Sequence, residues 1–202
     1  MALVKHNNNS ISSITTPGSL AQGKMTLISS QTASGSASIE FTSGIDSTYP
    51  IYKFEFINIH PAIKDASFGF NMSVDSGSNY NVTKTTTTFS SFHTENDTGA
   101  GLQYNSGRDL AQSTADQLIM PTVGNLNDEC GSGTLTLYNP SSNTFVKHFI
   151  CTTNVYEPDA DFTVQYFIAG YGNTTSSIDA IKFQMSSGNF DGTIKLYGIK
   201  GD

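Results

Sequence analysis

The sequence predicts an all-β protein, an antiparallel β-sandwich of about nine strands that follows an extended N-terminal arm. Three observations favour this class. Apolar and polar residues alternate with a period of two in many short runs, as they do in half-buried strands. Turn residues separate these runs, and no helices alternate with them as they would in a parallel α/β fold. Only 13% of the residues are charged and 11% are aromatic, which suits strands joined by short polar turns.

The N-terminal segment, residues 1–23, differs from the rest of the chain. It is polar and its apolar residues are sparse, so it cannot bury enough surface to become ordered by itself. The spacing of its apolar residues suits a groove, and we expect this arm to lie against a neighbouring subunit; a mobile arm is the alternative. The residues expected to bind that partner are Leu3, Val4, Ile11, Ile14 and Leu20. Residues 24–202 then form the sandwich domain.

The predicted strands follow one another from residue 24 onward. The clearest is 68–74, in which every second residue is large and apolar. Residues 75–79 have the composition of an Asx turn that closes a hairpin, and residues 80–83 begin its return strand. Residues 85–92 favour a strand, but the side that faces inward is ambiguous. The other predicted strands before the closing stretch are 25–28, 37–41, 52–59, 134–138, 144–151 and 162–168.

Residues 93–127 carry the weakest pattern. They contain Gly-rich turns and one or two helical turns over 109–120, which Pro121 would end. Leu110, Leu118 and Ile119 would face inward from these turns.

The closing stretch has the most regular alternation. Two alternating runs flank a short linker of Ser, Gly, Asn and Asp, which is the signal for two antiparallel strands. The side chains that share the inward faces, and that we expect in the core, are Ile181, Phe183, Met185, Ile194 and Leu196.

Charge and composition exclude several functions. The net charge of −7 argues against a nucleic-acid surface and against docking on anionic lipid. No apolar run approaches the roughly 20 residues of a membrane span, and the N-terminus lacks the apolar core of a secretory signal. We expect Cys151, in an apolar strand, to be a buried free thiol; a disulfide with Cys130 is the alternative.

No catalytic constellation stands out, so we expect a protein without enzymatic activity. The four histidines are far apart in sequence, the loop acids cannot be paired across a cleft, and no spacing is that of a metal site. We therefore expect no cofactor and no metal ion. Tyr104, Tyr156 and Tyr171 fall in predicted loops, where their rings could stack on the sugars of a glycan. Packing at the ends of the sheets is the alternative role for these tyrosines.

Several stretches resemble virion structural proteins of tailed bacteriophages, notably phages of cyanobacteria and marine bacteria. The resemblance covers most of the chain and is weak in residues 93–127. The stretches that carry it are residues 1–11, 46–50, 54–61, 71–80, 181–189 and 192–199. These are strand and turn signatures, and they contain no active-site motif.

The resemblance implies a jelly-roll-like sandwich on a phage particle, assembled in the cytoplasm of the bacterial host. It implies a capsid decoration (cement) protein that binds the major capsid protein, with a homotrimer as the expected oligomer. The alternative is a tail-fibre or tail-tip adhesin that binds other tail proteins and a glycan of the host surface.

Overall fold

The computed structural model describes residues 25–157 and 161–200, and this part of the chain is all β. It contains twelve strands rather than the predicted nine or so. The strands are β1 (Met25–Ser36), β2 (Ser38–Phe41), β3 (Ile51–Pro61), β4 (Ala66–Ser73), β5 (Lys84–Thr94), β6 (Ala100–Tyr104), β7 (Gln117–Val123), β8 (Gly131–Tyr138), β9 (Lys147–Glu157), β10 (Phe162–Gly172), β11 (Ala180–Met185) and β12 (Phe190–Ile199).

The helical turns predicted over residues 109–120 are wrong. Residues 105–116 form turns and bends, and β7 begins at Gln117. Pro121 lies inside β7 instead of ending a helix. This position tolerates proline because β7 is an edge strand, and because Pro121 falls at an irregularity of its ladder with β4.

The strands form two antiparallel sheets, which confirms the predicted antiparallel sandwich. The larger sheet has eight strands in the order β1-β12-β3-β8-β9-β10-β5-β6. The smaller has four strands in the order β2-β11-β4-β7. In this order, the pairs β5–β6 and β9–β10 lie together at one end of the larger sheet.

The connectivity is that of a jelly roll. Four pairs of strands are nested along the chain: β1 with β12, β2 with β11, β3 with β8 and β4 with β7. Each pair lies within one sheet, and successive pairs lie in alternate sheets, so the chain folds as a long hairpin that rolls around the core. The pairs β5–β6 and β9–β10 are insertions into this roll. They add four strands to the larger sheet, so that eight strands stand against the four of the smaller sheet.

The closing stretch lies at the centre of the core, as predicted. Phe183, Ile194 and Leu196 are fully buried, Ile181 is also fully buried, and Met185 is 6% exposed. The two closing strands do not pair with each other, however. β11 joins the smaller sheet between β2 and β4, whereas β12 joins the larger sheet between β1 and β3. The Gly/Ser linker therefore crosses between the sheets rather than closing a hairpin.

The turn after β4 also crosses between the sheets. Residues 75–78 form a turn in which the Ser78 N–H donates to the Asp75 carbonyl oxygen at 3.2 Å, so the predicted turn is present. The Asp75 carboxyl accepts hydrogen bonds from the backbone N–H and the side-chain amide of Asn79, four residues on, rather than from the residue two positions on as in an Asx turn. These bonds, with one from Ser73, lower the pKa of the Asp75 carboxyl. The predicted hairpin is wrong, because residues 80–83 form no strand and β5 lies in the opposite sheet.

Both cysteines are free thiols. Cys151 is buried in β9, as expected, and Cys130 is half-buried in the turn before β8. Burial raises the pKa of both thiols, so both remain protonated at neutral pH.

Candidate interaction surface

The outward side of the extended sheet carries an exposed apolar surface. Five side chains define this outer apolar patch: Phe89, Leu102, Tyr104, Ile150 and Phe167. Phe89 lies opposite Phe167 of β10 on one side and opposite Tyr104 of β6 on the other, so three rings form a row across three strands. The rings of Phe89 and Phe167 stack at 4.8 Å with an angle of 11° between their planes. Leu102 is 76% exposed and Ile150 is 52% exposed.

The patch exists because the polarity of β5 is inverted. Its inward residues Thr86, Thr88 and Ser90 are polar and buried, while Phe89 points to solvent. The hydroxyl of Thr86 donates to the side chain of Gln117 at 2.6 Å, and the Thr88 hydroxyl donates to a loop carbonyl. The inward side of β5 thus faces β7 and the loop of residues 105–116 through hydrogen bonds. This inversion explains why the facing of residues 85–92 was ambiguous from sequence alone.

Two adjoining depressions lie on the same side of the sheet. The larger has a volume of about 550 Å³ and the smaller about 210 Å³. Both are lined by Thr87, Ile150 and Ala169, so they form one continuous surface. At the far end of the larger depression, the rings of His148 and Tyr171 lie 5.9 Å apart, and Tyr138 lines the same end.

The three predicted glycan-binding tyrosines all lie in strands rather than in loops. Tyr171 lines the larger depression, whereas Tyr104 and Tyr156 do not. Tyr104 donates its hydroxyl proton to Asp109, and Tyr156 donates to Asp161 at 2.9 Å. These bonds raise the pKa of the Tyr104 phenol, and raise that of Tyr156 to about 12.

The structure does not bring the three tyrosines into one site. They share the outward side of the sheet, but Tyr156 lies eight positions along β9 from His148, which is roughly 26 Å at the usual rise of a strand. Tyr138 also lines the larger depression but was not predicted to bind a glycan. The alternation of apolar and polar residues marks it as a strand residue and does not show which side chains lie beside it. The predicted arm residues, Leu3, Val4, Ile11, Ile14 and Leu20, lie outside the described residues.

Two histidines of the described chain make local polar contacts. His60 contacts the carbonyl oxygen of Glu129 at 2.6 Å, and His93 contacts Asp97 at 3.1 Å. Among the described residues, no three His, Cys, Asp or Glu side chains are grouped to hold a metal ion. In the same part of the chain, no helix is long and apolar enough to span a membrane.

Comparison with known proteins found no matching family model, no matching curated protein and no matching solved structure.

Proposed function

We propose that this protein is a non-enzymatic structural subunit of a bacteriophage virion, and that it is a capsid decoration protein. The outer apolar patch is the observation that supports a role in assembly. The jelly roll agrees with this role, because viral capsid domains use the same architecture. The phage setting rests on the sequence resemblance described above.

The composition of the patch suits a protein–protein contact. Its five residues carry no charge, so their burial removes apolar surface from water without leaving an ion unpaired. Aromatic rings are enriched in the buried centres of interfaces, and Phe89, Phe167 and Tyr104 form a row of three. The patch also extends to β6, whose outer edge has no strand partner among the described residues. Side-chain and backbone contacts are therefore both open to a neighbour.

Charge substitutions in the patch test the proposal. We expect Ile150→Asp or Leu102→Asp to keep the fold, because both side chains are exposed, and to lower the amount of protein bound to purified particles that lack it. Leu126→Asp is the matched control, since Leu126 is 65% exposed in the turn before β8 and lies outside the patch. Wild-type occupancy by both patch variants would contradict the proposal.

The larger depression supports a second candidate function, a tail adhesin that binds a host glycan. The Tyr138 and Tyr171 rings could stack on sugars, and the hydroxyls of Thr85 and Thr87 could bind sugar hydroxyls. Tyr171→Ala should then abolish binding on a glycan array, and Tyr156→Ala, outside the depression, should leave it intact. If wild-type protein binds no glycan on the array, this candidate fails.

A further inference from the structure

A lysine and an asparagine meet in the interior where the two sheets face each other. Lys84, the first residue of β5, is fully buried, and Asn71 of β4 is 2% exposed. The Lys84 Nζ donates to Asn71 Oδ1 at 2.6 Å and to the Val82 carbonyl oxygen at 2.8 Å. The carbonyl carbon, Asn71 Cγ, therefore lies at most about 3.8 Å from Nζ, since a C=O bond adds about 1.2 Å. A nucleophile and its target are already in contact.

The surrounding groups hold the Asn71 amide in one orientation. Its Oδ1 also accepts the backbone N–H of Met72 at 3.0 Å. Its Nδ2 donates to the Thr114 carbonyl oxygen at 2.9 Å and to Asp116 Oδ1 at 3.0 Å. The second Asp116 oxygen accepts a hydrogen bond from Gln184 at 2.6 Å, which fixes the carboxyl group beside Nδ2. Two donors thus face the carbonyl oxygen, and a carboxyl group faces the amide nitrogen.

We propose that Lys84 and Asn71 join through an intramolecular isopeptide bond in the folded protein, with Asp116 transferring the proton. This inference is independent of the proposed virion role. It requires only residues of this chain.

The protonation state of the lysine favours the reaction. Burial lowers the pKa of Lys84 to about 8, and the Asp116 carboxylate opposes this effect only in part. At pH 7 about one amine in ten is then neutral and nucleophilic, a far larger fraction than for an exposed lysine. The fixed geometry supplies the rest of the advantage, because reactants held in contact behave as if present at very high concentration.

The step balances without another reactant. The neutral Nζ attacks Asn71 Cγ, the Nζ–Cγ bond forms, and the C=O electron pair moves to Oδ1, where the Met72 N–H stabilises the developing charge. Asp116 relays one proton from Nζ to Nδ2, to which it is already hydrogen-bonded. The Cγ–Nδ2 bond breaks, the C=O bond re-forms, and ammonia leaves. The products are a secondary amide and one ammonia molecule.

The bond would connect the two sheets covalently. β4 belongs to the smaller sheet and β5 to the larger, and no described strand ladder joins them. A link between Asn71 and Lys84 would hold the sheets together at this end of the sandwich. Such a cross-link limits the freedom of the unfolded chain and so stabilises the fold against heat.

Among the described residues, a second buried lysine lacks these features and provides a control. Lys147 is also fully buried, and burial lowers its pKa. Its Nζ donates to the backbone carbonyl oxygens of Phe145 at 2.7 Å and Thr174 at 3.3 Å. These contacts place peptide carbonyls, rather than a side-chain amide, beside the amine.

Mass spectrometry of the intact full-length protein tests the bond. Loss of ammonia predicts a mass about 17 Da below that of the sequence. Trypsin should fail to cut after Lys84, giving a single fragment of residues 65–108 with the same deficit. Cutting that fragment before Asp75 and Asp97 should release residues 97–108 but leave the parts 65–74 and 75–96 joined, because the new amide connects Asn71 to Lys84. A full sequence mass for the folded wild-type protein, or parts that separate, would overturn the proposal.

Single substitutions test the role of each residue in bond formation. Lys84→Met and Asn71→Ala should both show the full sequence mass, and Lys147→Met should keep the deficit. Asp116→Asn keeps the size of the side chain and should slow or abolish bond formation. The circular dichroism spectrum shows whether each variant is folded. A deficit that persists in folded Lys84→Met protein would overturn the bond, and an unchanged rate in Asp116→Asn would overturn the role of Asp116.

Discussion

At the scale of single residues, Phe183 is the centre of the core. It is fully buried, and its ring contacts the rings of five other phenylalanines at centroid distances of 5.2 to 6.3 Å. These neighbours come from both sheets, so one side chain couples the two layers. They are Phe41, Phe54, Phe56, Phe68 and Phe70.

We expect Phe183→Ala to lower the free energy of unfolding by about 3 to 5 kcal/mol, because it removes a large buried ring and leaves a cavity among rings that cannot collapse freely. Urea denaturation measures this loss. Phe145→Ala is the control, since Phe145 is 67% exposed and should change stability by less than about 0.5 kcal/mol. Equal losses in the two variants would contradict the central role of Phe183.

A second residue makes stability depend on pH. Burial and a hydrogen bond to Glu40 raise the pKa of Tyr80 to about 12, from an ordinary value of 10. Between these values the unfolded chain releases the phenol proton while the folded chain retains it, so stability falls as pH rises. Tyr80→Phe should reduce the loss of stability between pH 10 and pH 12 in urea denaturation. An identical loss in wild type and Tyr80→Phe would show that another group is responsible.

At the scale of elements, the inserted strands give the domain its exposed face. The eight strands of the roll bury their inward side chains against one another, because four of them lie in each of the two facing sheets. β5 and β9 face β7 of the smaller sheet on their inward side, and their outward side has no covering layer among the described residues. A partner that covers this side would complete the burial of Phe89 and Ile150.

We expect the sandwich domain to fold without the N-terminal arm, residues 1–23. β1 begins at Met25, and the described strands pair and pack through residues of the described chain. We therefore expect a variant without residues 1–23 to fold, with a thermal unfolding midpoint close to that of the full chain, but to lose binding to particles. Particle occupancy after sedimentation measures the effect. Wild-type occupancy by the truncated protein would show that the arm is not needed for attachment.

At the scale of the whole molecule, the copy number per particle separates the two proposed roles. A decoration protein that repeats over the capsid lattice gains strength from many weak contacts, so it should be present in proportion to the major capsid protein. A tail adhesin should be present in only a few copies. Quantitative mass spectrometry of purified particles gives this ratio. A low ratio would favour the adhesin and contradict the decoration role.

The sequence by itself determined most of the strands and much of the core. Alternation of apolar and polar residues is a local property, and it correctly placed Phe183, Leu196 and their neighbours inside. It was weakest where the pattern inverts, in β5, and where short strands such as β6 and β7 are not amphipathic. There the hydrogen bonds of Thr86 and Gln117, residues 31 positions apart, decide which side is inside.

Only the tertiary structure decided which strands pair and which side chains meet. β11 and β12 are neighbours in sequence yet belong to different sheets, because a jelly roll pairs strands that are distant along the chain. The outer apolar patch combines residues of β5, β6, β9 and β10, and the contact of Lys84 with Asn71 and Asp116 combines three separate segments. No local pattern specifies such long-range neighbours, since alternation fixes the direction of a side chain but not what it faces.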